Sequence, residues 1–233
     1  MAYNPPVIIY LVRHAQSEGN AKGFFQGNID SPLTPLGLKQ AAHLAGWLAG
    51  SRIRPQVVYA SPLQRASHTA RILTERLELP AAIATDNLRE YRAGELEGLL
   101  ADEVNERFPQ YKNRSLEERG DFSAFGGDSY EDMQRRLKDF IGMVDEKHSG
   151  DDVIMAVCHG GTLYQLLKLW CGWPTPRHYF TRLDNCTVIK LVTREIAGVK
   201  AAELQWMIPL ELTGWQADGG QAGSGRADWV ERQ

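Results

Sequence analysis

The sequence predicts an α/β fold: a three-layer α/β/α sandwich with a mostly parallel central sheet and a small helical cap insertion. Two near-continuous apolar runs, Val7 to Val12 and Val153 to Val157, read as strands buried on both faces. Between them, Gln56-Val57-Val58-Tyr59-Ala60 is a further strand that Ser61-Pro62 turns straight into a helix, and strand and helix alternate. That order is the mark of a parallel sheet with right-handed crossovers.

The first run stops at Arg13-His14 and a stretch of small and polar residues, so a cation and an imidazole stand at the carboxyl end of a buried strand. Open α/β sheets place their ligand sites there. Ala21 to Pro32 reads as a loop carrying Phe24, Phe25, Gln26 and Gly27. Thr34-Pro35 starts a covering helix, threonine as the N-cap and proline at the first helical position. Leu38, Ala41, Ala42, Ala45 and Leu48 keep helical spacing to Gly50, and His43 within it is read as a structural histidine. The helix after Ser61 runs to about Leu79; Arg65 falls in its first turn, and His68 reads as support.

Ala81 to Thr85 is a short strand, and Asn87 to Gly98 a loop dense in acids and glycines that includes Glu90. The partly helical excursion over about 95–128 reads as a cap; its cations Arg107, Lys112, Arg114 and Arg119 are candidates to hold substrate, although ordinary helix surface is the commoner role. Gly126-Gly127-Asp128-Ser129 caps an amphipathic helix through about Lys147, striped by Met133, Leu137, Phe140, Ile141 and Val144. The second run ends in Cys158-His159-Gly160-Gly161-Thr162 before a helix from about Leu163 to Trp170. The opening pattern thus repeats, and glycines there let backbone N–H groups approach an anion at a helix start. Thr187 to Thr193 and Ala201 to Ile208 read as closing strands, with an antiparallel arrangement open to them. One domain is expected over residues 1–212, followed by a low-complexity, disordered tail at 213–233.

Composition narrows the function. A chain of 233 residues with a net charge of -3 has no polycationic surface for nucleic acid, so anion binding needs a local cluster of cations. Three irregularly spaced cysteines make neither a disulfide framework nor a zinc site. Met1 to Pro6 has no basic n-region and no apolar run reaches membrane-spanning length, so a cytoplasmic protein without membrane contact is expected. The Lys-Ser/Thr-ended glycine loop and Gly-x-Gly-x-x-Gly are missing, as are H-x-H and H-E-x-x-H. Cys171 and Arg177 have the spacing of a cysteine phosphatase, but Pro174 and Pro176 between them remove N–H donors that a phosphate cradle needs.

What remains is Arg13, His14, Arg65 and His159, with Glu90. Leu11-Val12-Arg13-His14-Ala15-Gln16-Ser17-Glu18-Gly19-Asn20 resembles the Arg-His-Gly signature of the histidine phosphatase superfamily, the phosphoglycerate mutase-like proteins. Ser61-Pro62-Leu63-Gln64-Arg65, Leu88-Arg89-Glu90 with Gly94 to Gly98, and Cys158-His159-Gly160-Gly161 match its later motifs in order, over roughly residues 7–193. Ala15 departs from the usual glycine. Leu99-Leu100-Ala101-Asp102 stands where the glycolytic mutases carry an Asn-Lys element.

The resemblance implies covalent catalysis without metal or cofactor. His14 attacks phosphorus and becomes phosphohistidine; Arg13, Arg65 and His159 surround the equatorial oxygens; Glu90 protonates the departing alkoxide and then takes a proton from water. Asn20, Gln26 and Gly27 match positions lining the phosphate pocket, and Gly160 offers close backbone approach. The expectation is a phosphomonoesterase of a small phosphorylated metabolite. A phosphoglycerate mutase-type transfer is the alternative, a phospho-ligand binding domain with little activity stands third, and a homodimer is left open.

Overall fold

A computed structural model of the chain describes residues 6–115, 118–172, 183–196 and 199–216. In chain order the elements are β1 (Ile8–Arg13), α1 (Glu18–Lys22), α2 (Pro35–Gly50), β2 (Val57–Ala60), α3 (Gln64–Leu77), β3 (Ile83–Ala84), α4 (Ala101–Arg107), α5 (Pro109–Lys112), α6 (Tyr130–Lys147), β4 (Val153–Cys158), α7 (Gly160–Cys171), β5 (Val188–Ile196) and β6 (Val199–Ile208). The sheet runs β3-β2-β4-β1-β5-β6. β3, β2, β4 and β1 are parallel, and β5 and β6 continue antiparallel.

The period-two alternation of a strand divides the core into two layers. Tyr10, Val12, Val58, Met155 and Val157 face α2 and α3 through Leu44, Leu48, Ala66, Ala70 and Leu73. Ile9, Leu11, Ile154 and Ala156 face α6 and α7 through Leu137, Phe140, Leu163 and Leu166. This is the expected three-layer sandwich. Both predicted caps form: Thr34 Oγ1 accepts from Gly37 N at 2.9 Å, and Ser129 and Asp132 exchange hydrogen bonds across the first turn of α6.

The register matters most for function. Arg13 pairs with Cys158 and Ala60 with Val157, so β1 and β4 end level and β2 ends one residue before them. His14, His159 and Ser61 each follow such an end. His14 N donates to Cys158 O at 2.9 Å and Ser61 N to Val157 O at 3.0 Å, which carries the pairing one residue past β1 and β2.

Some boundaries differ from expectation. β3 is two residues rather than five, with Ile83 exposed at the sheet edge. The loop after β1 contains a one-turn helix, α1, because Ser17 and Asn20 form a reciprocal capping box. α7 begins at Gly160, three residues early, for a reason given below. The disorder expected from Thr213 lies, from Ala217 on, outside the described residues. Thr213 itself closes a 3-10 turn after β6, its hydroxyl 2.9 Å from His43 Nε2, and Trp215 packs edge-on against the same ring. His43 is therefore a satisfied histidine, as read. Among the described residues no helix is long and apolar enough to cross a membrane.

Candidate active site

The level strand ends bring the two predicted histidines together, ring centroids 5.1 Å apart, both nearly fully buried. His14 Nδ1 donates to the Ala15 carbonyl at 2.7 Å. The proton thereby sits on Nδ1 and the lone pair on Nε2, the tautomer a nucleophile needs. Burial, then the charges of Arg65 and Arg13, hold His14 well below the ordinary histidine range. Ala15 is accommodated without strain: positive φ occurs at Arg52, Glu78 and Cys186 among the described non-glycine residues, and Ala15 N is satisfied by Thr69 Oγ1 at 3.1 Å.

Arg65, in the first turn of α3, is 1% exposed. Its Nε donates to His159 Nδ1 at 3.2 Å, its Nη1 to Ile29 O at 2.9 Å and its Nη2 to Gly27 O at 2.8 Å. Of five guanidinium N–H groups, three hold the fold and two remain for an anion. His159 Nε2 then carries the proton and faces Ser61 Oγ at 2.8 Å. Burial, then Arg65, His14 and Arg13, keep this ring neutral as well. His159 is thus a neutral hydrogen-bond donor through Nε2. Arg13 donates through Nη1 to the Leu183 carbonyl, while its Nε is a buried donor without a partner. A Cβ at Gly160 would lie 3.6 Å from that Nε, so the start of α7 packs directly against the guanidinium.

Glu90 lies where the early start of α7 becomes intelligible. Its Oε2 accepts from Gly161 N at 2.9 Å and its Oε1 from Thr162 N at 3.1 Å, with Thr162 Oγ1 3.3 Å from Oε1. The first N–H groups of a helix have no partner inside it. Here the carboxylate supplies one, so the glycines can enter the helix. A Cβ on Gly161 would stand 2.6 Å from Glu90 Oε1, so a side chain there would push the carboxylate away.

The remaining predicted residues join the same network. Asn20 Oδ1 accepts from Ser17 N at 3.2 Å, and Ser17 Oγ donates to Gln26 Oε1 at 2.7 Å. Gly27 takes φ +47° and presents its carbonyl to Arg65. Three of the four cap cations make contacts within the cap. Arg114 lies 5.0 Å over the Phe125 ring and donates to the Asp121 carbonyl, Arg107 lies over Phe108, and Arg119 donates to Lys112 O. Cys171 ends α7, its thiol pushed up to about 11 by burial, and Arg177 lies outside the described residues.

Other supports carried no sequence signal. Asn185 donates through Nδ2 to the His14 carbonyl at 2.9 Å and to Asn20 Oδ1 at 3.2 Å, joining elements far apart in the chain. Glu97 Oε1 accepts from Asn28 N at 3.0 Å and Ala93 N at 2.9 Å, tying the Gly27 loop to the Glu90 loop. Glu97 stood within the quoted Gly94 to Gly98 stretch; nothing in the sequence singled out Asn185.

The arrangement offers a neutral imidazole nucleophile, guanidinium N–H groups and a carboxyl on one sheet edge. The sequence profile of the histidine phosphatase superfamily (branch 1) matches residues 9–202. The chain belongs to this superfamily. This histidine phosphatase superfamily chain is 37% identical over 156 residues to a metal-independent phosphoserine phosphatase of Arabidopsis thaliana, a match covering 66% of the chain and 65% of that relative. It is 30% identical over 191 residues to a 2,3-bisphosphoglycerate-dependent phosphoglycerate mutase of Methylorubrum extorquens, covering 80% and 89%. Its fold superposes on a mycobacterial glucosyl-3-phosphoglycerate phosphatase solved with VO3, with a TM-score of 0.71 at 23% identity, covering 85% and 97%. The proteins it is similar to thus include both phosphatases and a mutase.

Proposed function

We propose that the chain is a metal-independent, histidine acid-type phosphomonoesterase that hydrolyses a small phosphorylated metabolite in the cytoplasm through phosphohistidine on His14. The observation that carries the reading is the His14 Nδ1 bond to Ala15, which leaves Nε2 unprotonated beside two arginines. Nε2 attacks phosphorus in line, the N–P bond forms and the P–O bond to the alcohol breaks. Glu90 gives its proton to the departing oxygen. In the second half Glu90 takes a proton from water, the water oxygen attacks phosphorus, and the N–P bond breaks to return His14 and release phosphate.

Arg13 and the two unused N–H groups of Arg65 are the donors for the equatorial oxygens, and His159, whose Nε2–H rests on Ser61 Oγ, stands beside them. They are aligned before substrate arrives, which is the property that makes such groups effective on a developing charge. Asn20, Gln26, Gly27 and Gly160 shape the pocket around them. The arginines bring positive charge of the kind a metal would otherwise supply, in keeping with the metal-independent phosphatase among the relatives.

A mutase reading shares every one of these groups and is favoured by the Methylorubrum relative. Against it, Leu100 and Ala101, in place of the mutase element, are taken up in starting α4, where Glu103 Oε2 accepts from Leu100 N at 2.7 Å. A screen of phosphomonoesters that includes phosphoserine and 3-phosphoglycerate, with the fate of the phosphate followed, tests the choice. Release of inorganic phosphate supports the phosphatase; retention on a second hydroxyl supports the mutase. An acid-labile, base-stable adduct is expected on His14, and its persistence in His14→Ala would refute the assignment.

A further inference from the structure

We propose that Arg136 is the positioning residue for Glu90, fixing the main chain on which the proton donor sits. The inference rests on the reading of Glu90 as that donor. Glu90 belongs to a stretch, Arg89 to Ala93, with no regular secondary structure to hold it. One side of the stretch is held by α7, through the bonds to the Glu90 carboxylate and through Thr162 Oγ1, which donates to Arg89 O at 2.9 Å. Those contacts leave the Glu90 carbonyl and the turn behind it to something else.

Arg136 of α6 holds the other side. Its Nη1 donates to Arg89 O at 2.7 Å, and its Nη2 lies 3.4 Å from both Glu90 O and Asp128 Oδ2. Asp128 is itself anchored to the same stretch: Oδ2 accepts from Arg92 N at 3.0 Å, Oδ1 pairs with Arg92 Nε at 2.6 Å, and Asp128 N donates to Arg92 O at 2.9 Å. One planar fork thus spans two consecutive carbonyls and a buried carboxylate. The neighbouring Arg135 sets the contrast, because its side chain is 70% exposed and pairs with Asp132 at the surface, whereas that of Arg136 is 20% exposed. A lysine has no fork and reaches one acceptor at a time.

Proton donation requires heavy atoms within about 2.6–3.2 Å, so a small shift of the Glu90 backbone disables it. Loss of the fork should therefore impair the acid and spare the nucleophile. The experiment measures the single-turnover phosphorylation burst with an alkyl phosphate, whose leaving group must be protonated, and with p-nitrophenyl phosphate, whose leaving group need not be. Wild type, Glu90→Gln, Arg136→Met, Arg136→Lys and the Glu90→Gln/Arg136→Met double variant are compared. Arg136→Met is expected to lose roughly 10–100-fold on the alkyl ester with little change on p-nitrophenyl phosphate, as a misplaced catalytic group does. Arg136→Lys should show the same selectivity at smaller size, and it is the variant read should Arg136→Met fold poorly. The double variant should be no slower than Glu90→Gln alone.

A loss equal on both esters, or additive in the double variant, while Glu90→Gln remains selective for the alkyl ester, overturns the role of Arg136 and leaves that of Glu90 standing. An equal loss on both esters in Glu90→Gln itself overturns the acid assignment, and the inference with it.

Discussion

Arg65 donates through Nε to Nδ1 of His159 at 3.2 Å, and this one bond sets the protonation of the histidine. An arginine N–H cannot accept, so Nδ1 must carry a lone pair and Nε2 the proton. The consequence reaches past His159. The same guanidinium holds the carbonyls of Gly27 and Ile29, so the Gly27 loop, the second histidine and α3 are oriented by a single side chain.

Replacing Arg65 by Met should therefore cost stability as well as activity. The acceptors on Gly27, Ile29 and His159 would lose their donor, at about 1–3 kcal/mol for each that stays buried and unsatisfied. Urea denaturation of Arg65→Met and Arg65→Lys measures this. Lysine should restore part of the stability, since it can satisfy fewer acceptors at once; unchanged midpoints in both variants would refute the structural half of its role.

The two buried histidines make stability depend on pH with a definite sign. Burial first, and then Arg65, hold both folded-state values well below the ordinary 6.5. Between the folded and unfolded values the unfolded chain binds protons that the native state does not. Stability is therefore full above about pH 7 and is lost as pH falls, by about 1.4 kcal/mol per pH unit for each histidine still neutral in the native state. A thermal melt series from pH 7.5 to 5 should show a gentler slope in His14→Gln than in wild type. The same shift keeps the nucleophile unprotonated below pH 6.5, so kcat/KM should persist into mildly acid solution.

Gly27→Ala probes the bridge between the two loops. A Cβ at Gly27 would fall 2.0 Å from Glu97 Oε1, whose position is set by Asn28 N and Ala93 N, and the φ of +47° disfavours a side chain in any case. Alanine should destabilise by about 1–3 kcal/mol and raise KM for any phosphate ester, read by denaturation and steady-state kinetics. If KM were unchanged, the loop would not belong to the pocket.

Activity should survive exhaustive chelation with EDTA, because Arg13 and Arg65 bring positive charge to the phosphoryl oxygens. Full loss restored by one divalent ion would contradict the mechanism. Vanadate, able to adopt trigonal-bipyramidal geometry, should inhibit competitively, and Arg13→Met should weaken that inhibition, since the unpartnered Nε of Arg13 is a ready donor.

Much of the molecule was decided locally and could be read from the chain. Apolar runs that stop at Arg13-His14 and Cys158-His159 place both histidines at strand ends, because burial on two faces demands such runs and a charged residue ends them. Thr34 and Ser129 mark helix starts because a cap is a contact within one turn. Other features required the assembled fold. The parallel register of β1 with β4 sets His14 against His159. Which nitrogen of His159 carries the proton depends on a donor 94 positions away. The early start of α7 depends on a carboxylate from another loop, and Asn185 and Arg136 act on main-chain carbonyls that no side-chain pattern announces. Periodicity and caps record interactions among near neighbours; hydrogen bonds between distant segments leave no spacing in the sequence, so only the tertiary structure could supply them.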